Sequence, residues 1–323
     1  MIHQLKYFKY KNKYLNLKNK SFLNKIQLGG NDKILQQIYT KFKSLEENVK
    51  VLGRIFEEKK VSDCHGIEHA KKVMCHAFLA LEEYGNSITD INIKCVLLAA
   101  LLHDADDTKF FPNNKNYDNL RLVIINEDNT IIDNVIYMVS IVSSSKNGDN
   151  IPDFVKGKEW MLIPRYADRI EAIGIIGIER CFTYNKNVAK LPLYVDDTPR
   201  PITEKEIWKH ATIERYNLYS SKDSSKNSSK NKSMIDHYYD KLLRLSIFPI
   251  NNKYFKKECD ERRKILIDFL IMFGKASLRY QKCKKCKEGE EEEKCENCKD
   301  IITNEDVQKF IEENNAKISH EDE

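Results

Sequence analysis

The sequence predicts an all-α protein, on three observations. Between residues 32 and 60 the apolar positions Ile34, Leu35, Ile38, Phe42, Leu45, Val49, Leu52 and Phe56 recur every third or fourth residue, the period of one helical face. Cys95 to Leu102 are eight apolar residues in a row, a segment with no polar face for water and therefore buried on all sides. Nowhere do strand-like and helix-like patterns alternate as a parallel sheet requires. With 323 residues, 41% of them hydrophobic, the chain can bury one sizeable core and carry appendages.

Three parts follow in order: a basic tail over 1–31, a helical core over 32–280 and a cysteine module over 281–323. The net charge of +5 comes from the tail, since residues 1–30 hold seven lysines and no acid, leaving 47 basic against 49 acidic groups elsewhere. The body therefore presents no basic field for nucleic acid. The tail interleaves Lys with Tyr, Phe and Leu and lacks the apolar run of a signal peptide or membrane span. It reads as a solvated basic helix or as a surface or nucleic-acid contact.

Within the core, the amphipathic stretch from Asp32 to Lys60 is the first helix. A second starts near Gly66, and Thr89 with Asp90 offers an N-cap to the buried helix ending at His103. Residues Asp106 to Asp118 read as a loop, followed by helical patterns at Asn119–Asn126 and Ile131–Val142. SSSKNGDNIP is a second loop, and both are expected to frame a substrate mouth. Ile163 to Tyr184 reads as one long helix in which Gly174 and Gly177 admit a close neighbour. Asn185 to Ser233 reads as irregular, with a mobile loop at about 220–233 rich in Ser, Lys and Asn. Helices over Met234–Leu245 and Lys253–Tyr280 close the bundle, and Thr303 with Asp306 opens a short acidic helix expected to pack on the cysteine module.

The apolar run ends abruptly in His103 and Asp104. Buried polar groups cost several kcal/mol, on the order of 2–7, unless each finds a hydrogen bond, counter-charge or metal. Candidates lie on both sides: His65, His69 and His76 upstream at helical spacing, and Asp168 downstream in an apolar helical pattern. Together they give His, then His-Asp, then Asp, on three separate segments.

These segments resemble those of the HD-domain metal-dependent phosphohydrolases, most closely the small single-domain bacterial and fungal branch. The resemblance covers HxxKV at His69–Val73, LLHD at Leu101–Asp104, ADRIEAIGIIGIERCFTYN at Ala167–Asn185, IDHYYDKLLRL at Ile235–Leu245 and ERRKILIDFL at Glu261–Leu270. It implies an HD-domain helical bundle in which His69, His103, Asp104 and Asp168 hold one divalent metal, with Mn, Mg, Fe, Co, Ni and Zn not distinguished. It implies hydrolysis of a phosphate ester or nucleotide, including pyrophosphate release from nucleoside triphosphates, by metal-activated water. Asp104 and Asp107 are the catalytic candidates, and Lys72, Lys109 and Arg169 the candidate phosphate contacts. His65 and His76 are read as packing or supporting residues, and His210 and His237 as lying outside the ligand set.

No serine nucleophile elbow, P-loop or GxGxxG is present, so covalent catalysis has no support. A binding or scaffold protein that keeps the HD fold without turnover is the main alternative. An iron-dependent oxygenase would need further His and carboxylate ligands not evident here.

Cys283, Cys286, Cys295 and Cys298 form CxxC, eight residues, CxxC, a spacing that closes a tetrahedral shell around a structural zinc. Lysine-bearing knuckles around a glutamate-rich turn argue for a folding staple or a protein contact rather than a nucleic-acid finger. The cysteines at 64, 75, 95, 181 and 259 look like reduced core residues of an intracellular protein. The tail is similar to the YKxKYLxLK tails closing in Gly-Gly that begin proteins of large DNA viruses. That likeness implies a viral protein, placed in the cytoplasm of an infected host cell or associated with the virion.

Overall fold

The computed structural model describes residues 31–62, 65–220, 232–249, 251–284 and 302–321, and among them there is no strand. The all-α expectation holds. Among the described residues no helix is long and apolar enough to cross a membrane. The tail over 1–30, most of the loop at about 220–233, and Cys286, Cys295 and Cys298 lie outside the described residues.

The buried helix is the axis of the fold. Helix α4 (Asp90–Leu102) is capped by Thr89, whose hydroxyl accepts from the Asn92 amide at 3.2 Å, and Cys95 to Leu102 are all fully buried. Around it sit α2 (Ser44–Glu58), α3 (Ile67–Leu81), α6 (Asn129–Ser140) and α8 (Ile163–Ile170). Their apolar faces account for the missing polar face of α4. A helix over 31–41, α1, precedes α2, so the expected single helix from 32 to 60 is broken at residues 42–43. The buried positions Leu35, Ile38, Leu45, Val49, Leu52 and Phe56 keep their common face across the break.

A larger correction falls at 171–174. The long helix expected over Ile163–Tyr184 is two helices, α8 and α9 (Gly174–Tyr184), separated by an extended Ile173. Gly174 has φ of +72°, and a Cβ there would lie 2.9 Å from Arg262 Cβ. Glycine is required both by the left-handed backbone and by the approach of α14 (Lys253–Lys284). At Gly177 a Cβ would meet the Ala172 carbonyl, so this glycine accommodates the chain's own preceding turn, not another helix.

The stretch after α9 is more ordered than expected. It contains α10 (Glu204–His210) and α11 (Ile213–Ser220). Next come α12 (Met234–His237), a π-helical turn over Tyr238–Leu242 and α13 (Leu243–Leu245). Asp236 fastens this segment: it accepts from Thr198 at 2.8 Å, Ser233 at 2.7 Å and Arg215 at 2.7 Å, and Arg215 also pairs with Asp240. Two further short helices are α5 (Asp118–Val123) and α7 (Ser144–Asn147).

The C-terminal helix α15 (Asn304–Glu321) begins with the expected Thr303–Asp306 cap. It packs on the helical core: Ile302, Val307 and Ile311 are buried, α15 lies against α9, and Phe310 meets Phe269 of α14 edge-on at 5.2 Å. The cysteines on which it was expected to pack lie, Cys283 apart, outside the described residues. Its apolar stripe is covered by the bundle.

Candidate metal centre

Three segments bring their polar groups to one point. His69 stands near the start of α3, His103 just beyond the last residue of α4, and Asp168 in α8. Because α3, α4 and α8 pack on one another, their ends converge. One ligand atom from each of His69, His103 and Asp168 lies within 4.8 Å of the other two. His69 Nε2 is 3.4 Å, and His103 Nε2 3.5 Å, from Asp168 Oδ1. Asp104 Oδ2 is 3.4 Å from His103 Nε2.

These separations are too long for good hydrogen bonds. Both ring nitrogens of His69 and Nε2 of His103 are buried without a hydrogen-bond partner. Ligands about 2.1 Å from a shared cation stand roughly 3.0–3.4 Å apart. The unsatisfied nitrogens and their spacing to Asp168 therefore fit a divalent cation, for which imidazole and carboxylate are suitable donors. His103 Nδ1 lies 2.8 Å from the Ala100 carbonyl. A proton placed there leaves the Nε2 lone pair facing the cluster, the support a ligating histidine commonly receives.

The electrostatics agree. Burial works against charge on His103, yet Asp104 and Asp168 outweigh it and carry the imidazole up to about 9. Burial likewise opposes the charged form of Asp104 and Asp168, but His103 and His69 hold both carboxyls below their usual range. Burial and the nearby Arg180 lower His69. Two carboxylates thus stay ionised and draw a proton onto His103, a position for which a cation competes.

The remaining expected site residues separate by placement. Asp107 Oδ1 accepts from the Lys109 amide at 2.9 Å and Oδ2 lies 3.7 Å from Lys109 Nζ, which is 64% exposed, so these two form the rim. Arg169 is 2% exposed and donates to Asp149 and the Gly148 carbonyl, each at 2.7 Å, which commits it to the 148–149 loop. This departs from the expected phosphate contact: an arginine one residue after Asp168 points to a different side of α8. Lys72 is half-buried and acts electrostatically on Glu171.

His65 lies against the centre, its ring 6.4 Å from His69 and edge-on to Phe110 at 5.6 Å, and burial pushes it down to about 4. His76 belongs to a separate closed network, hydrogen-bonded to Tyr254 and, at 3.0 Å, to Glu171. His210 and His237 sit against Tyr239 and Tyr219. Asp106 caps α5, accepting from the Asn119 and Leu120 amides at 2.9 and 3.0 Å and so closing the loop that follows Asp104.

Two cations escaped the sequence reading. Arg180 of α9 donates to the Glu171 carbonyl at 2.8 Å, at the end of the helix bearing Asp168. Lys241, in the π turn, lies in the electrostatic field of Asp168. Each directly follows an acidic residue, Glu179 or Asp240, and no sequence signal set it apart from an ordinary helical charge.

No family model matches the chain. Among solved structures, an HD-superfamily hydrolase from Bacillus thuringiensis is 20% identical, covering 74% of this chain and 98% of the other, with a TM-score of 0.49. YpgQ of Bacillus subtilis is 19% identical over 77% of this chain and 99% of its own, with a TM-score of 0.45. The uncharacterized protein L803 of Acanthamoeba polyphaga mimivirus is 37% identical over 226 residues, 65% of this chain and 88% of the relative. The chain belongs to the family of that mimivirus protein.

Proposed function

We propose that the protein is an HD-type metal-dependent phosphohydrolase that cleaves a small phosphate ester or nucleotide. The observation that carries this reading is the convergence of His69, His103 and Asp168 within 4.8 Å, with both histidines presenting unpartnered buried nitrogens. Together with Asp104 they would hold one divalent ion, leaving room for water and substrate. When bound, such an ion acidifies coordinated water and draws charge from a phosphoryl oxygen. The chain's own contribution is to exclude bulk water through the buried floor at the end of α4. Asp107 at the rim is the proton-transfer candidate, held in place by the Lys109 amide.

The zinc quartet Cys283, Cys286, Cys295 and Cys298 belongs to the proposal as a folding staple or protein contact, on its spacing alone. The mimivirus relative also supports a viral protein. A panel of nucleoside mono-, di- and triphosphates and generic phosphoesters, assayed with several divalent metals, tests the reading. Metal-dependent turnover that Asp104→Ala abolishes while the fold survives is the expected result. Ligand binding without turnover under every metal would replace it with the scaffold reading.

A further inference from the structure

The cations foreseen for the substrate are mostly engaged elsewhere. Arg169 is bonded to the 148–149 loop, Lys72 acts on Glu171, and Lys109 is largely exposed with Asp107 beside it. One imidazole outside the ligand set is placed differently. His65 occupies the turn before α3, where its amide donates to the Ser62 carbonyl at 2.8 Å. Its ring lies 6.4 Å from the His69 ring, which is in turn 5.2 Å from the His103 ring. On its other side it meets Phe110 edge-on at 5.6 Å. Phe110 belongs to the loop that leaves Asp104 and carries Asp107 and Lys109, and its amide donates to the Asp107 carbonyl at 2.9 Å. His65 therefore bridges the segment bearing His69 and the rim.

Packing does not account for a histidine in this place. Nδ1 is buried without a hydrogen-bond partner, and a buried polar atom left unpaired costs about 1–3 kcal/mol. A phenylalanine would fill the same space against Phe110 without that cost. Direct ligation does not account for it either. Among the described residues the ligand atoms that converge within 4.8 Å are those of His69, His103 and Asp168, and His65 is not among them. It stands one ring outside the ligand set.

What the ring offers is its other nitrogen. The side chain is only half-buried, Nδ1 is its buried nitrogen, and Nε2 bonds to none of the described residues. Nε2 can carry a proton in either charge state of the ring. The result is a hydrogen-bond donor on the open side of the cluster, with no acceptor supplied by the described residues. A phosphoryl oxygen is the acceptor that suits it, because an N–H bond to an anionic oxygen is roughly twice as strong as one between neutral groups.

We infer that His65 is a substrate-binding residue whose Nε2–H donates to an oxygen of a phosphate group held at the His69–His103–Asp168 cluster. The inference rests on the phosphohydrolase reading of that cluster. It assigns substrate contact to the turn before α3, across from the loop of Asp107 and Lys109, rather than to Lys72 and Arg169.

The test titrates inorganic phosphate into the Mn²⁺-loaded full-length protein by calorimetry, with Mn²⁺ affinity measured separately. His65→Phe, which keeps the packing on Phe110, is expected to weaken phosphate about tenfold while Mn²⁺ affinity stays within twofold. His65→Gln, whose amide nitrogen reaches the place of Nε2, is expected to restore most of the phosphate affinity. His65→Asn, whose shorter amide reaches only the place of Nδ1, is expected to bind as weakly as His65→Phe. Should His65→Phe lose its cooperative melt, His65→Leu carries the same test. Phosphate affinity within twofold of wild type in His65→Phe overturns the inference. So does a His65→Gln variant that binds phosphate no better than His65→Asn, a loss of phosphate binding that merely follows a loss of Mn²⁺, or an absence of phosphate binding by the wild type. His65-dependent phosphate binding without turnover of any phosphoester would leave the inference standing and remove the hydrolase reading.

Discussion

Two histidine–carboxylate clusters sit on the same pair of helices and behave in opposite ways. On α3, His69 and His76 are separated by two turns; on α8 and its C-cap, Asp168 and Glu171 by one. The His76–Glu171 cluster is closed. His76 bonds to Tyr254 and Glu171, Arg262 reaches Glu171 at 3.4 Å and the Ile170 carbonyl at 3.0 Å, and Glu258 accepts from Arg262 at 3.0 Å. Burial alone would raise the Glu171 carboxyl, but His76 and Arg262 hold it well below the usual carboxylate range. In the His69–Asp168 cluster the same residue types meet at 3.4–3.5 Å with their nitrogens unsatisfied. The difference teaches that residue type does not mark a site here. Whether the protein supplies the missing partner does.

Breaking the open cluster should have the largest effect on function. Asp168→Asn is expected to lower metal-dependent turnover by about 10³-fold or more, a loss of roughly 4 kcal/mol of transition-state stabilisation, with the melting temperature of the metal-free protein nearly unchanged. A variant as active as wild type would sever the cluster from the chemistry. Breaking the closed cluster should do the reverse. Arg262→Met leaves the buried Glu171 with one partner fewer, and a denaturant melt should register a cost of about 3–5 kcal/mol, with Mn²⁺ still bound by the fraction that folds.

Metal addition sharpens the contrast. At a hundredfold excess over Kd a ligand specific to the folded state stabilises by about 2.7 kcal/mol. That upward shift in Tm is expected for the wild type and for Arg262→Met, and should vanish in Asp168→Asn.

The smallest effect concerns pH. Burial pushes His237 down to about 3, whereas an unfolded histidine takes its proton near pH 6.5. The unfolded chain therefore binds the proton first on acidification. Stability contributed by neutral His237 is complete above about pH 6.5 and falls toward pH 3, at up to about 1.4 kcal/mol per pH unit. His237→Gln should flatten melts recorded between pH 7 and 4.5; an unchanged slope would place the titration elsewhere.

Much of this was legible in the residues. The run from Cys95 to Leu102 announced a helix without a polar face, and its termination in His103 and Asp104 announced groups in need of partners. The break between α8 and α9 was not legible, because apolar periodicity continues through residues 171–174 and the cause is Arg262, 88 residues beyond Gly174. Arg169 misled for a related reason: its neighbours Gly148 and Asp149 are 20–21 residues earlier in the chain.

The most direct measurement is the Mn²⁺ stoichiometry of the wild type, Asp168→Asn and Arg262→Met by calorimetry or electron paramagnetic resonance. A hard ion is chosen because soft thiolates favour other metals. The account predicts one ion per folded chain in the wild type and in Arg262→Met, and none in Asp168→Asn. Equal Mn²⁺ binding by Asp168→Asn and wild type would contradict it.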